Sequence, residues 1–287
     1  MTIQLTKPPI TSPFHFSERE LPWVDEFPFG WRDVTETLAD GTVTRHQIPL
    51  TQADFLNPQE GDRMPQDSRH SQLMIALYDM LEKHLDSQPG LVVLADIKMR
   101  WGIANLKEPA PDIAVIPSVL DKTAIRGSFD VTKHGTRPCL VIEIMSPNYP
   151  GDDTDKVAIY EQAGIEEYII INPHFEKDSR PLELSGYRLV AGKYQPIIAD
   201  AKGRLLSQTI GVKFGVSRRN PRQLILIDAQ TNQPLLTNKA EKTARLKEQA
   251  ARLKAEQLAQ AEAQRAATAE AELAKLRAEL ASLRHEK

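Results

Sequence analysis

The amino-acid sequence predicts an α/β (α+β) fold, in which a central mixed sheet is flanked by helices and followed by a long C-terminal helix. An amphipathic helical segment comes early in the chain, and short apolar strand-like runs dominate its middle. A helical segment separates two of these runs, which indicates a strand–helix–strand crossover. The last part of the chain is rich in Ala and lacks Gly, Pro and aromatic residues, a composition that favours a continuous helix.

The early helix is predicted for residues 69–85, because apolar residues recur there at helical spacing. Before it, Thr42–Leu50 is predicted to form a strand, and Thr51 is suited to cap a short helix that runs to Leu56. The apolar residues of the early helix are Leu73, Leu77, Met80, Leu81 and Leu85.

The remaining strands are short and mostly apolar. A helix is predicted between two of them at Asp155–Ala163, where Gly164 is suited to the C-cap, and Ala191-Gly192 is predicted to be a turn. The predicted strands are Leu91–Leu94, Ile97–Trp101, Pro111–Ile116, Cys139–Met145, Tyr168–Ile171, Leu184–Val190, Lys193–Ile198, Gly211–Val216 and Leu224–Asp228.

The C-terminal tail, residues 238–287, is predicted to be helical. Leu273, Leu276, Leu280 and Leu283 follow the 3-4-3 spacing of a coiled-coil seam, and we expect a homo-oligomer formed through this helix. Leu246 and Leu253 are one heptad apart, but their phase does not continue into the later leucines. The tail is therefore either a coiled coil with a stutter or a single solvated helix.

Composition indicates a cytoplasmic protein without a membrane segment. No run approaches the roughly 20 apolar residues that span a bilayer, and the N-terminus does not resemble a secretory signal. The lone Cys139 excludes a disulfide framework and a cysteine-based zinc site. Residues 238–287 carry 11 Lys and Arg against 8 Asp and Glu, so residues 1–237 carry 25 against 31. That acidic balance argues against tight, sequence-independent nucleic-acid binding by the globular part.

Two carboxylates and a lysine form the main candidate site. Asp112 opens a predicted strand, Glu143 lies inside the apolar run CLVIEIM, and Lys156 lies on the following helix. Because an unpaired buried carboxylate is costly, Glu143 needs a partner, which is either a divalent cation or an arginine such as Arg137 or Arg100.

A magnesium site is one interpretation of this set. Asp112, Glu143 and the backbone carbonyl of Ile144 provide oxygen ligands of the kind that Mg²⁺ or Mn²⁺ prefers. A bound ion would lower the pKa of a water molecule and stabilise charge on a phosphoryl oxygen. Lys156 would orient that water or stabilise the developing charge.

The runs PDIAVIP, CLVIEIMSPN and GDDTDKVAIYEQAGIEEYIIINP resemble the Uma-two family of restriction-endonuclease-like proteins, which belongs to the PD-(D/E)xK superfamily. The resemblance is strong over residues 110–173, and a weaker one in PLTQADFLNPQEGD and His70 extends it to residues 48–200. It implies a restriction-endonuclease-like sheet and places the metal-binding roles on Asp112 and Glu143. On this basis we divide the chain into an N-terminal extension (1–47), a nuclease-like domain (48–237) and the tail.

The lysine departs from the superfamily pattern. Met145 occupies the usual lysine position, two residues after Glu143, and family members instead carry D-x-x-x-K-x-x-x-Y on the next helix. Asp152, Lys156 and Tyr160 match that motif here, which implies that Lys156 takes the catalytic role.

Three residues are auxiliary candidates. His70 is either a metal ligand or base, or a surface or capping histidine. Asp152 is expected to meet the helix dipole as a cap, and Tyr160 is expected to pack with a polar tip. The resemblance implies a Mg²⁺-dependent endonuclease that hydrolyses DNA. The alternative is a non-catalytic nuclease-fold scaffold or binding protein that assembles through its tail.

Overall fold

A six-stranded mixed sheet forms the centre of the structure. This computed structural model describes residues 27–64, 68–145, 153–174 and 180–285, with side chains to residue 278. The helices are α1 (Gln52–Phe55), α2 (Ser68–Leu85), α3 (Val131–His134), α4 (Asp155–Gln162) and α5 (Asn238–His285). The strands are β1 (Trp31–Thr37), β2 (Val43–Pro49), β3 (Asp62–Arg63), β4 (Val92–Ala95), β5 (Lys98–Arg100), β6 (Ile113–Ile116), β7 (Ser128–Asp130), β8 (Leu140–Ile144), β9 (Glu167–Asn172), β10 (Glu183–Val190), β11 (Lys193–Pro196), β12 (Leu205–Ser207), β13 (Val212–Val216) and β14 (Leu224–Asp228).

The central sheet has the order β11-β10-β9-β8-β6-β4. Strands β8 and β9 are parallel, and the other neighbouring pairs are antiparallel. Helix α4 connects the parallel pair, which confirms the crossover that the sequence predicts. Three smaller sheets have the orders β2-β1-β3, β12-β13-β14 and β5-β7.

Strand β8 contributes to a core on each face of the central sheet, because side chains alternate along a strand. Leu140, Ile142 and Ile144 pack in the core that α2 and the β12-β13-β14 sheet complete. Val141 packs in the other core, with Tyr160 of α4. Glu143 follows the parity of Val141 and therefore points to the α4 side.

The predicted strands are confirmed, with boundaries that shift by at most two residues. Thr51 caps α1 with a capping box, and Gly164 follows α4 with a φ of 73°. A side chain at Gly164 would also clash with the Arg137 guanidinium. Strands β1, β3, β7 and β12 and helix α3 were not predicted.

The long helix α5 begins against α2 and then extends away from it. The Asn238 backbone N–H donates to Asp79 of α2 (2.6 Å), and Lys83 pairs with Glu241. Beyond this base the leucines of α5 are exposed in the described residues. No helix in the described ranges combines the length and the apolar composition needed to cross a membrane.

Glu167 fastens the central sheet to the β12-β13-β14 sheet. Its carboxylate, 1% exposed, accepts hydrogen bonds from Ser207 Oγ (2.5 Å), Thr209 Oγ1 (2.8 Å), the Gln208 N–H (3.0 Å) and Arg188 Nε (2.8 Å). Burial alone would raise the pKa of this carboxyl, but the hydrogen bonds outweigh it and hold the pKa below its ordinary value.

We predict that Glu167→Gln lowers the free energy of unfolding by about 2–3 kcal/mol at neutral pH, because the charged acceptor is lost. Since the folded-state pKa is lowered, the contribution of Glu167 is present above the unfolded-state pKa and is lost as pH falls through the folded-state value. Urea unfolding at pH 7 and in mild acid measures this effect. The exposed neighbour Glu166→Gln is the control, and a deficit that does not shrink in acid would contradict the assignment.

Candidate functional site

Helix α4 places two polar side chains on the buried Glu143 carboxylate. Lys156 Nζ lies 3.0 Å from Glu143 Oε2, and the Tyr160 hydroxyl donates to Glu143 Oε1 at 2.5 Å. The two residues are four positions apart and therefore share one face of the helix. Glu143, Lys156 and Tyr160 are 1%, 4% and 0% exposed, so the ion pair lies within the protein rather than on its surface.

Asp112 lies beside Glu143 because of the strand register. Strands β6 and β8 pair Ile113 with Ile142, so Asp112, which precedes β6, is level with Glu143. Asp112 Oδ2 accepts the Ile144 N–H at 2.7 Å, and Oδ1 lies 2.8 Å from His70 Nε2. His70 is buried at the start of α2 beside Asp112, so it does not take the surface position that was one of its two alternatives.

Asp96 is a third carboxylate at this site, and the sequence analysis missed it. It follows β4, whose register pairs Ala95 with Ile113, so Asp96 comes next to Asp112. Its N–H donates to the carbonyls of Pro111 and Asp112 (both 3.2 Å), and its φ is 52°. Its side chain is partly exposed in the cleft, but the protein around the carboxyl keeps much of the water away from it and so raises its pKa. The negative charge of Asp112 raises this pKa further. An aspartate between two predicted strands, Leu91–Leu94 and Ile97–Trp101, was the available signal.

These residues lie in an open cleft of about 1200 Å³. Its floor contains the carboxylates of Asp96, Asp112 and Glu143, together with His70, Ile144 and Lys156. One side of the cleft is formed by the segments 98–100 and 118–134, which we call the basic wall. Among the residues of these segments that line the cleft, Lys98, Arg100, Arg126 and Lys133 are cationic and Asp121 is acidic.

The remaining predictions concern the arginines, Met145 and Asp152. The arginine partners considered for Glu143 are wrong, since Lys156 takes that position and Arg137 Nη1 donates to the Ala163 carbonyl instead. Met145 packs partly buried against the core on the α4 side. Asp152 lies outside the described residues.

The donor set at the floor suits a hard divalent cation. The described residues contain no group of three or more His, Cys, Asp or Glu side chains arranged to hold a metal. Mg²⁺, however, typically uses only one or two protein carboxylates and completes its shell with water and substrate phosphate. Each carboxylate oxygen has two lone pairs and can accept more than one contact. Asp112 and Glu143 therefore fit Mg²⁺ or Mn²⁺.

Comparison with known proteins identifies the family. A family model described as "Putative restriction endonuclease", named Uma2, matches residues 61–221, which is more than half of the chain. The chain belongs to the Uma2 family. The match includes Asp96, Asp112, Glu143, Lys156 and Tyr160 within its bounds.

Two further comparisons add little to the Uma2 assignment. A crystal structure from Anabaena variabilis ATCC 29413, described as a "putative nuclease belonging to DUF820", is similar with 15% identity and a TM-score of 0.39. The similarity covers 61% of this chain and 82% of that chain. No curated protein matches the sequence.

We predict that Lys156 and Glu143 are energetically coupled. In metal-free buffer, Lys156→Met should lower the free energy of unfolding by about 3 kcal/mol, because it leaves a buried carboxylate without its cation. Glu143→Gln in the same chain should recover at least about 1 kcal/mol of that loss. Urea unfolding of the four chains of this double-mutant cycle measures the coupling, with the exposed Lys107→Met as control. Strict additivity would show that the pair does not interact.

Proposed function

We propose that this Uma2 protein is a metal-dependent endonuclease that hydrolyses phosphodiester bonds in DNA. The observation that carries the proposal is the meeting of Asp112, Glu143 and Lys156 in one cleft, although they come from three separate segments of the chain. The description of the family as a restriction endonuclease supports the same reaction class.

Asp112 and Glu143, with the backbone carbonyl of Ile144, would hold Mg²⁺ or Mn²⁺. Such an ion lowers the pKa of a water molecule and stabilises negative charge on a phosphoryl oxygen. The other contacts of the two carboxylates fix their orientation: the Ile144 N–H and His70 hold Asp112, and Tyr160 holds Glu143. We therefore assign positioning roles to His70 and Tyr160.

Lys156 would stabilise charge at the reacting phosphate. Hydrolysis forms a bond from a water oxygen to phosphorus and breaks the bond from phosphorus to the leaving sugar oxygen, which takes up a proton. The Lys156 ammonium has three N–H donors and directs one charge-assisted contact to Glu143. Lys156 lines the cleft, so its positive charge would stabilise a phosphoryl oxygen or the attacking water.

We predict that Glu143→Gln abolishes binding of Mn²⁺ and that Lys156→Met lowers the rate of Mn²⁺-dependent DNA cleavage by about 100-fold or more. Metal binding is measured by calorimetry, and cleavage is measured on a supercoiled plasmid. Glu166→Gln and Lys107→Met, which change exposed side chains away from the cleft, should behave as the parent chain.

Calorimetry tests whether Glu143 binds the metal, and the cleavage assay tests whether Lys156 stabilises charge at the phosphate. Equal metal affinity in the parent chain and Glu143→Gln would refute the metal assignment. Undiminished cleavage by folded Lys156→Met would refute the role of the lysine.

A non-catalytic scaffold with the nuclease fold is the second candidate. The observation that favours it is that both oxygens of Glu143 already contact side chains of α4, as they would in a purely structural ion pair. A scaffold needs neither the cation nor turnover. Tight metal binding together with cleavage would therefore exclude it, whereas stability coupling without metal binding would support it.

We also propose that α5 mediates self-association of a cytoplasmic protein, and that residues 1–47, 48–237 and 238–287 are its three parts. At 1.5 Å per residue, the 48 residues of α5 extend for about 72 Å. Its exposed leucines would be buried if a second helix packed against them, and burial of apolar side chains favours association. They include Leu246, Leu253, Leu258, Leu273 and Leu276.

We predict that a chain ending at Thr237 stays folded and has a smaller oligomeric mass by light scattering. The truncation removes the contacts of Asn238 and Glu241 with α2 but leaves both cores intact. Leu273→Glu with Leu276→Glu in the full-length chain should lower the mass in the same way. An unchanged mass in both proteins would rule out the coiled coil.

A further inference from the structure

The loop between β6 and β7 is held in place by its own hydrogen bonds and by contacts with the end of α2. Lys122 Nζ donates to the carbonyls of Asp86 (2.8 Å) and Gln88 (3.3 Å). The Thr123 N–H and hydroxyl both donate to Asp121 Oδ1, at 2.9 Å and 2.8 Å. Arg126 donates to the Ala124 carbonyl at 2.9 Å and also to the Asp121 carbonyl. The loop thus presents its other side chains from an anchored backbone.

Two branched aliphatic side chains of this loop are fully exposed. Leu120 and Ile125 have relative exposures of 105% and 102%, and the next most exposed large apolar residue in the described part of the chain is Ile198, at 84%. Leu120 and Ile125 both line the cleft. Because neither side chain is buried against this chain, packing within the fold does not account for them.

Cationic side chains surround these two residues on the basic wall. Arg126 donates to backbone carbonyls. The loop's own hydrogen bonds lower the pKa of the Asp121 carboxyl on the same wall, and the charge of Arg126 also helps to lower it. Lys133 and Arg100 also line this side of the cleft, whereas Lys98 lies 3.9 Å from the carboxylate of Glu108. The cleft-lining residues of the wall thus carry four positive charges against the one negative charge of Asp121, a net charge opposite in sign to the carboxylates of the floor. A polyanion with apolar faces between its charges matches this combination of groups.

We infer that the basic wall binds nucleic acid next to the cleavage site, with Arg100, Arg126 and Lys133 on the phosphates and Leu120 and Ile125 against the bases. This inference rests on the proposed nuclease function, and it specifies which surface holds the substrate and how. Apolar side chains that contact bases act as wedges at a step that is partly unstacked. The substrate class is therefore DNA with a deformable or already unpaired step at the cleft.

The experiment uses a fluorescein-labelled DNA duplex, and a second copy of the same duplex with a central 2-aminopurine, whose fluorescence rises when the base unstacks. Binding of the full-length chain is followed in EDTA by anisotropy and by 2-aminopurine emission. Leu120→Ser with Ile125→Ser should weaken binding by at least about tenfold and remove the rise in emission. Ile198→Ser, an exposed aliphatic outside the cleft, is the matched control and should bind as the parent chain does.

The cationic part of the wall has its own test. Lys133→Ser should weaken binding of both duplexes and reduce its dependence on salt concentration, because one phosphate contact is lost. Absence of binding by the parent chain, or unchanged binding by the Leu120 and Ile125 double variant, would overturn the inference. A double variant that loses self-association by light scattering but still binds DNA would overturn it in favour of a contact between copies of the chain.

A failure of the proposed nuclease function and a failure of the wall assignment give different results. If the parent chain binds and unstacks the duplex but does not cleave it with Mg²⁺ or Mn²⁺, the hydrolysis proposal fails and the role of the wall stands. If cleavage occurs and the double variant cleaves at the parent rate, the hydrolysis proposal stands and the wall assignment fails.

Discussion

The buried Glu143 carboxylate is the constraint on which the rest of the site depends. A charge inside an apolar strand is tolerated only when it is paired and hydrogen-bonded. Lys156 and Tyr160 meet that need from successive turns of α4, and so they fix how this helix lies across β8 and β9. The crossover helix and the polar centre of the cleft are therefore two consequences of one interaction.

The same interaction also places a charged pair among the other carboxylates of the cleft floor. The β6–β8 register brings Asp112 beside Glu143, and the β4–β6 register adds Asp96. Three carboxylates close together repel one another, and Lys156 offsets part of that repulsion. A divalent cation would offset more of it, so the proposed metal site would also relieve the repulsion within the folded protein. The cationic side chains of the basic wall come from other segments of the chain, and we infer that they attract the substrate.

Much of this arrangement could be predicted from local sequence patterns. Helical spacing located α2, and apolar runs located β6, β8 and β9, because these signals depend on burial within single segments. The set of Asp112, Glu143 and Lys156 followed from the family motif, and the structure brings the three together. Asp96 was missed because its position depends on the pairing of β4 with β6, and neither strand encodes that pairing alone. Strands β3 and β7 were missed for a similar reason, since they are short and pair with strands far away in sequence. Strands β1 and β12 pair with the next strand and were missed because they are largely polar or short.

The most direct test of the account is the anomalous diffraction of crystals soaked in Mn²⁺. If Asp112 and Glu143 bind the ion, a peak lies in contact with both carboxylates in the parent protein and is absent in Glu143→Gln. A Mn²⁺ peak elsewhere in the cleft, or none in the parent protein at a saturating concentration, would contradict the claim that these two carboxylates form a metal site.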